Sequence, residues 1–144
     1  MAEQAVRSLR LPPTARSTTQ ARRFVLAALS EWGLDGLRDT AALLTSEVVT
    51  NSVLHARTDV ELSISRLDDG VAIEVSDGSR RAPVRRQQLE EATTGRGVEL
   101  LQQLAGQWDV TLHADGKTVR FVLSESVDPW AAYTGTEWAN GTPA

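Results

Sequence analysis

Apolar residues recur at two spacings along this chain, and the longer of the two predicts three helices. The first helix follows Ser17, whose pairing with Gln20 has the form of a capping box. Gly33 suits the position just past its end. A second helix is predicted from about Leu37 to Ala56, and a third follows Gly95 and stops at Gly106. The apolar positions of the first helix are Ala21, Val25, Ala28, Leu29 and Trp32.

The shorter spacing, in which every second residue is apolar, predicts one isolated strand and two hairpins. The isolated strand is Val6 to Leu11, and Pro12-Pro13 ends it. Asp68-Asp69-Gly70 is the turn of the first hairpin, and Asp115-Gly116 is the turn of the second. The alternating apolar positions of the hairpins are Val60, Leu62, Ile64, Val71, Ile73, Val75, Trp108, Val110, Leu112, Val119, Phe121 and Leu123.

This order of elements predicts an α+β fold. Strands that arrive as hairpins form a mostly antiparallel sheet, and the apolar stripes of the helices cover one of its faces. The expected architecture is therefore a two-layer α/β sandwich. We expect one domain over residues 1–123. Residues 124–144 are rich in Ser, Thr, Gly, Asn and Pro and are expected to form a loosely ordered tail.

Composition narrows the functional classes. The chain has 144 residues, 41% of them hydrophobic, which suffices for the core of one domain. Cysteine is absent, so disulfides and thiolate metal sites are excluded. No secretory signal and no membrane-spanning run are recognisable, so we expect a cytoplasmic protein without a membrane partner. The net charge of −4 argues against direct nucleic-acid binding.

Polar residues interrupt the apolar face of the second predicted helix. Glu47 and Asn51 stand one turn apart and therefore share a face. At about 100° per residue, they and His55 fall within the stripe centred on Leu44 and Val48. A carboxylate there must find a partner, stay protonated or face a polar pocket. A pocket for a metal and a phosphate would satisfy both side chains, whereas His55 is expected to be a packed, hydrogen-bonded core residue.

Two further motifs complete the candidate constellation. Asp77-Gly78-Ser79 follows a predicted strand, and alternation turns Asp77 toward the helix-covered face at the end of that strand. Gly95-Arg96-Gly97 stands at the start of the third predicted helix, where backbone N–H groups can approach an anion. Each motif alone is commonly a turn or a loop. Their joint order and spacing is much harder to reach by chance.

These motifs resemble those of the Bergerat-fold ATPases. Glu47-x-x-x-Asn51 is similar to the N-box of that superfamily, Asp77 and the residues after it to a degenerate first glycine box, and Gly95-Arg96-Gly97 to the second. The greatest similarity is to the small anti-sigma-factor serine/threonine kinases, over about residues 6–123. It includes the segment Ser46 to Ala56 and the later motif Gly116-Lys117-Thr118-Val119.

The resemblance implies ATP and Mg²⁺ as cofactors and a role for each motif. Asn51 would ligate Mg²⁺ through its amide oxygen, and Glu47 would be the catalytic base for the attacking hydroxyl or water. Asp77, followed by Gly78, would accept a hydrogen bond from the exocyclic amine of adenine and so favour ATP over GTP. The Gly95-Arg96-Gly97 motif would hold the phosphates, and the arginine-containing loop 80–94 would be the ATP lid.

Two positions depart from the family pattern. Ser79 stands where the first glycine box usually has glycine. The family also places a nucleotide-binding threonine near the start of the last strand, and Thr118 is the candidate. Its alternation matches Arg120 and Val122 rather than the apolar positions of the strand. Thr118 therefore reaches the pocket only if the apolar residues face away or a bulge resets the register.

Two functions remain open from the sequence. The first is a protein serine/threonine kinase that sequesters a sigma factor and phosphorylates an anti-anti-sigma protein. Proteins of this type often form homodimers, which the sequence itself does not establish. The second is a non-catalytic, nucleotide-responsive binding module, which the altered glycine box and short lid favour. A histidine-kinase fragment is the least favoured interpretation, because no phosphoacceptor helix pair precedes the first predicted helix.

Overall fold

The computed structural model describes residues 5–79 and 107–125. Seven helices and strands follow one another in this part of the chain, with a short 3₁₀ turn at 35–37 before the second helix. Their bounds are β1 Val6–Leu11, α1 Arg16–Glu31, α2 Arg38–His55, β2 Val60–Arg66, β3 Gly70–Asp77, β4 Gln107–His113 and β5 Gly116–Ser124. The predicted third helix lies outside the described residues, as does the predicted tail from 126 onward.

The strands form one antiparallel sheet in the order β1-β2-β3-β5-β4. Ile64, Ile73 and Phe121 lie side by side across its centre and are fully buried. Their row faces α1 and α2, whose buried side chains complete a single core. The α+β fold and the helix-covered antiparallel sheet are therefore confirmed. Within residues 5–79 and 107–125, no helix is both long enough and apolar enough to cross a membrane.

The predicted end of α1 at Gly33 agrees with the structure, whereas the predicted start at Ser17 does not. The helix begins at Arg16, and its N-cap residue Ala15 makes no side-chain capping bond. Ser17 lies inside the first turn, where it is buried and donates a hydrogen bond to the Pro12 carbonyl. The predicted capping box is therefore wrong, because the hydroxyl group of Ser17 bonds to the preceding loop and not to the first turn of the helix. At the other end Gly33 has φ +72°, the left-handed conformation that this position needs.

Candidate functional site

Helix α2 holds Glu47 and Asn51 at the boundary between core and surface. Both residues are half-buried, and Oε1 of Glu47 and Oδ1 of Asn51 are buried. The amide oxygen Oδ1 of Asn51 is buried and accepts no hydrogen bond from any residue that the structure describes. A buried amide oxygen is costly without a donor or a cation. Its chemistry fits the hard-oxygen ligand that Mg²⁺ prefers.

The prediction for His55 is wrong. Burial along α2 ends at Ser52, and Leu54 is 50% exposed. His55 occupies the last turn of the helix and is exposed, so it is not a core residue. Helical periodicity placed His55 on the correct stripe, but the packed length of the helix ends one turn before it.

Asp77 lies at the end of β3 on the helix-covered face, as its alternation predicts, and its side chain is only 1% exposed. Oδ2 accepts a hydrogen bond of 2.7 Å from Ser52 Oγ, and Oδ1 accepts one of 2.9 Å from the Ser79 backbone N–H. The first of these bonds connects α2 to the end of β3. Because Ser52 follows Asn51 in the chain, it brings the N-box helix and the aspartate into one site.

Lys117 is a site residue to which the sequence motifs assign no role. It lies directly opposite Asp77 in the β3–β5 register. Its Nζ is 3.0 Å from Oδ1 and 2.8 Å from Oδ2 of the carboxylate, and its side chain is 8% exposed. The available signal was alternation, because Lys117 has the parity of the buried residues Val119 and Phe121. A lysine at a core-facing position requires a buried anion.

Close backbone packing holds this end of the sheet together. A Cβ on Gly116 would lie 2.1 Å from the Asp77 carbonyl oxygen, so only glycine lets β5 begin this close to β3. The Gly78 backbone N–H donates a 2.8 Å hydrogen bond to Thr58 Oγ1. Arg57, with φ 59°, turns the chain at the end of α2 and so leads into Thr58. The backbone on either side of the Asp77 carboxylate is therefore closely packed and fixed by hydrogen bonding.

Thr118 does not lie on the Asp77 side of the sheet. The β3–β5 register runs without a bulge from 70 to 77, and the apolar residues of β5 face the helices. Thr118 Oγ1 instead shares hydrogen bonds of 2.7 Å with Ser76 Oγ and 2.8 Å with His113 Nε2. These three residues line a polar groove of about 420 Å³ at the end of the sheet, and Asp77 and Lys117 also contribute to its lining. Neither condition under which Thr118 would turn toward the helix-covered face is met, and Lys117 occupies the position on that face opposite Asp77.

The residues predicted to bind phosphate are not among those that the structure describes. Gly95, Arg96 and Gly97 fall outside the described residues, and so does the predicted lid, 80–94. The described part of the site therefore comprises the N-box positions on α2 and the aspartate with its three partners. Those partners are Ser52, Ser79 and Lys117.

Comparison with known proteins gives one family match, which covers most of the chain. The family model described as histidine kinase-like ATPase domain matches residues 11–123. The match begins at the last residue of β1 and ends within β5, so it includes α1, α2, Glu47, Asn51 and Asp77. A search of curated proteins found no match.

Proposed function

The chain belongs to the family of histidine kinase-like ATPase domains, and from this premise we propose that it is an ATP-dependent regulator of the anti-sigma type. In this proposal it phosphorylates a partner protein on serine or threonine and controls transcription by sequestering a sigma factor. Family membership supports ATP binding itself. The kinase activity and the protein partners rest on the motif resemblance together with the geometry of the site.

One observation carries the nucleotide part of the proposal. A carboxylate at the end of β3 is buried and hydrogen-bonded to α2, next to an asparagine whose buried oxygen accepts no hydrogen bond within the described residues. This pairing of an acceptor for a base with a ligand for a cation suits a magnesium nucleotide. Bound Mg²⁺ would neutralise phosphate charge during transfer. Asn51 would hold the ion, and Asp77 would accept the hydrogen bond from adenine.

Glu47 is the proposed base. It lies one turn before Asn51 on the same face of α2 and is half-buried. A carboxylate beside a metal-held phosphate could orient a partner's hydroxyl group and accept its proton. Phosphate transfer requires the correct acceptor hydroxyl group, so the assay must supply the partner protein.

Transfer of the γ-phosphate tests the kinase proposal. The purified chain is incubated with γ-labelled Mg-ATP and candidate anti-anti-sigma proteins, and labelled serine or threonine is identified. We expect Glu47→Ala to abolish transfer, whereas Glu74→Ala, which removes a half-exposed carboxylate from β3, should leave it intact. Wild-type transfer by Glu47→Ala would refute the base assignment.

A non-catalytic module is the second candidate. Ser79 stands where glycine is typical of the family, and its backbone N–H is hydrogen-bonded to Asp77. The chain therefore departs from the family pattern directly beside the carboxylate proposed to bind the base. Tight binding of Mg-ATP without turnover, with a partner protein that binds the chain present, would favour this candidate over the kinase.

A further inference from the structure

The carboxylate assigned to adenine is already saturated with hydrogen-bond donors. A carboxylate has about four acceptor positions on its two oxygens. Within the described residues, Asp77 accepts one bond from Ser52, one from the Ser79 backbone and one on each oxygen from Lys117. An adenine amine can therefore bind Asp77 only by replacing one of these donors.

Lys117 is the donor that can be replaced. The Ser79 donor is a backbone group, and Ser52 is 3% exposed on the packed face of α2. Lys117, by contrast, is the second residue of β5 and carries its ammonium group on a flexible four-carbon chain. Rotation about its side-chain bonds would free two acceptor positions without moving the backbone.

We propose that Lys117 competes with the base for Asp77 and thereby determines both the affinity and the base selectivity of the nucleotide site. This inference rests on the proposed nucleotide binding and assigns a role to a residue to which the family resemblance gives none. When the ammonium group pairs with Asp77, the adenine amine finds no acceptor. When it swings aside, the amine takes its place.

The same ammonium group changes how purines are distinguished. Adenine presents an amine donor at position 6, whereas hypoxanthine and guanine present a carbonyl oxygen there. A lone carboxylate repels that carbonyl oxygen. An adjacent ammonium group can donate to it while the carboxylate accepts from the ring N1–H. Lys117 therefore opposes adenine and accommodates 6-oxopurines, and its removal should sharpen the preference for ATP.

A different role for Lys117 predicts a different result. A cation near a nucleotide site can attract the triphosphate through its charge alone. In that case its removal would weaken all nucleoside triphosphates by the same factor. The comparison of two triphosphates that differ at position 6 of the base separates these roles, because their phosphates are identical.

The experiment is calorimetric titration of the full chain with Mg-ATP and with Mg-ITP, in which a carbonyl oxygen replaces the amine. Lys117→Met removes the ammonium group and keeps an unbranched side chain. Arg120→Met is the matched control, since it removes a cation from the same strand on the opposite face. Lys117→Arg keeps the charge, and Lys117→Gln keeps one donor in case Lys117→Met does not fold.

We expect Lys117→Met to bind ATP about tenfold more tightly, on the scale of a hydrogen bond to a charged group, and ITP no more tightly than wild type. The ratio of the ITP and ATP dissociation constants should rise accordingly, with a smaller rise for Lys117→Gln and none for Arg120→Met or Lys117→Arg. An unchanged ratio in Lys117→Met, or in Lys117→Gln if only that variant folds, would overturn the role of Lys117 and leave nucleotide binding intact. Absence of binding in wild type and all variants would overturn the proposed function and this inference together.

Discussion

The buried Asp77–Lys117 pair gives the sharpest prediction about stability. The two side chains are 1% and 8% exposed, and their charged atoms are 2.8 Å apart at the closest. Removing one member of such a pair leaves a buried charge without compensation, which costs about 3–5 kcal/mol. For Lys117→Met we expect the lower end of this range, because Ser52 and the Ser79 N–H still donate to the carboxylate.

A double-mutant cycle isolates the interaction. Lys117→Met, Asp77→Asn and the double variant are unfolded in urea and followed by tryptophan fluorescence, for which the chain has four tryptophans. The double variant contains no unpaired charge at this site. It should therefore be more stable than the sum of the single losses predicts, with a coupling of about 2 kcal/mol or more. Since a domain of this size has about 5–15 kcal/mol of stability, the single variants should show clearly lower midpoints.

An exposed pair on the other face of the sheet provides the control. Arg120 and Glu74 lie 3.4 Å apart, with side chains 39% and 43% exposed. A pair of this kind contributes about 0–1 kcal/mol, so Arg120→Met should change the unfolding midpoint little. If Lys117→Met proves as mild as Arg120→Met and the coupling is near zero, the reasoning from burial is refuted.

Three further predictions test the site. Asn51→Ala should make ATP binding independent of Mg²⁺, and titration with Mg²⁺ or EDTA present checks this; retained dependence would refute the ligand assignment. Gly116→Ala places a Cβ 2.1 Å from the Asp77 carbonyl oxygen and should lose about 1–3 kcal/mol or more in urea unfolding. Thr118→Val should leave the calorimetric ATP affinity unchanged, because its side chain lies on the other face of the sheet; a marked loss would place the nucleotide there.

The fold was predictable because its signals are local. Alternation in β2 and β3, with a turn between them, specifies a hairpin without knowledge of any distant residue. The same holds for β4 and β5. The start of α1 was not predictable, because Ser17 has two uses for its hydroxyl group, and only the path of the preceding loop decides between them. Local capping patterns do not contain that path.

The site was predictable only where a side chain's direction follows from its own element. Alternation along β3 was enough to place Asp77, and helical spacing was enough to place Glu47 and Asn51 together. Lys117 was missed because its contact with Asp77 depends on the β3–β5 register, which joins residues 40 positions apart. Ser52 was missed because a small hydroxyl group within a helix gives no periodic signal.

The ion pair also changes what nucleotide selectivity can show. The expectation that ATP is favoured over GTP assumes a carboxylate that repels the carbonyl oxygen of guanine. Asp77 is instead paired with an ammonium group within 3.0 Å of both its oxygens. Equal binding of ATP and GTP by the wild-type chain would therefore not refute the proposed hydrogen bond between Asp77 and the base. Only the selectivity of a chain without the Lys117 cation measures what the carboxylate does by itself.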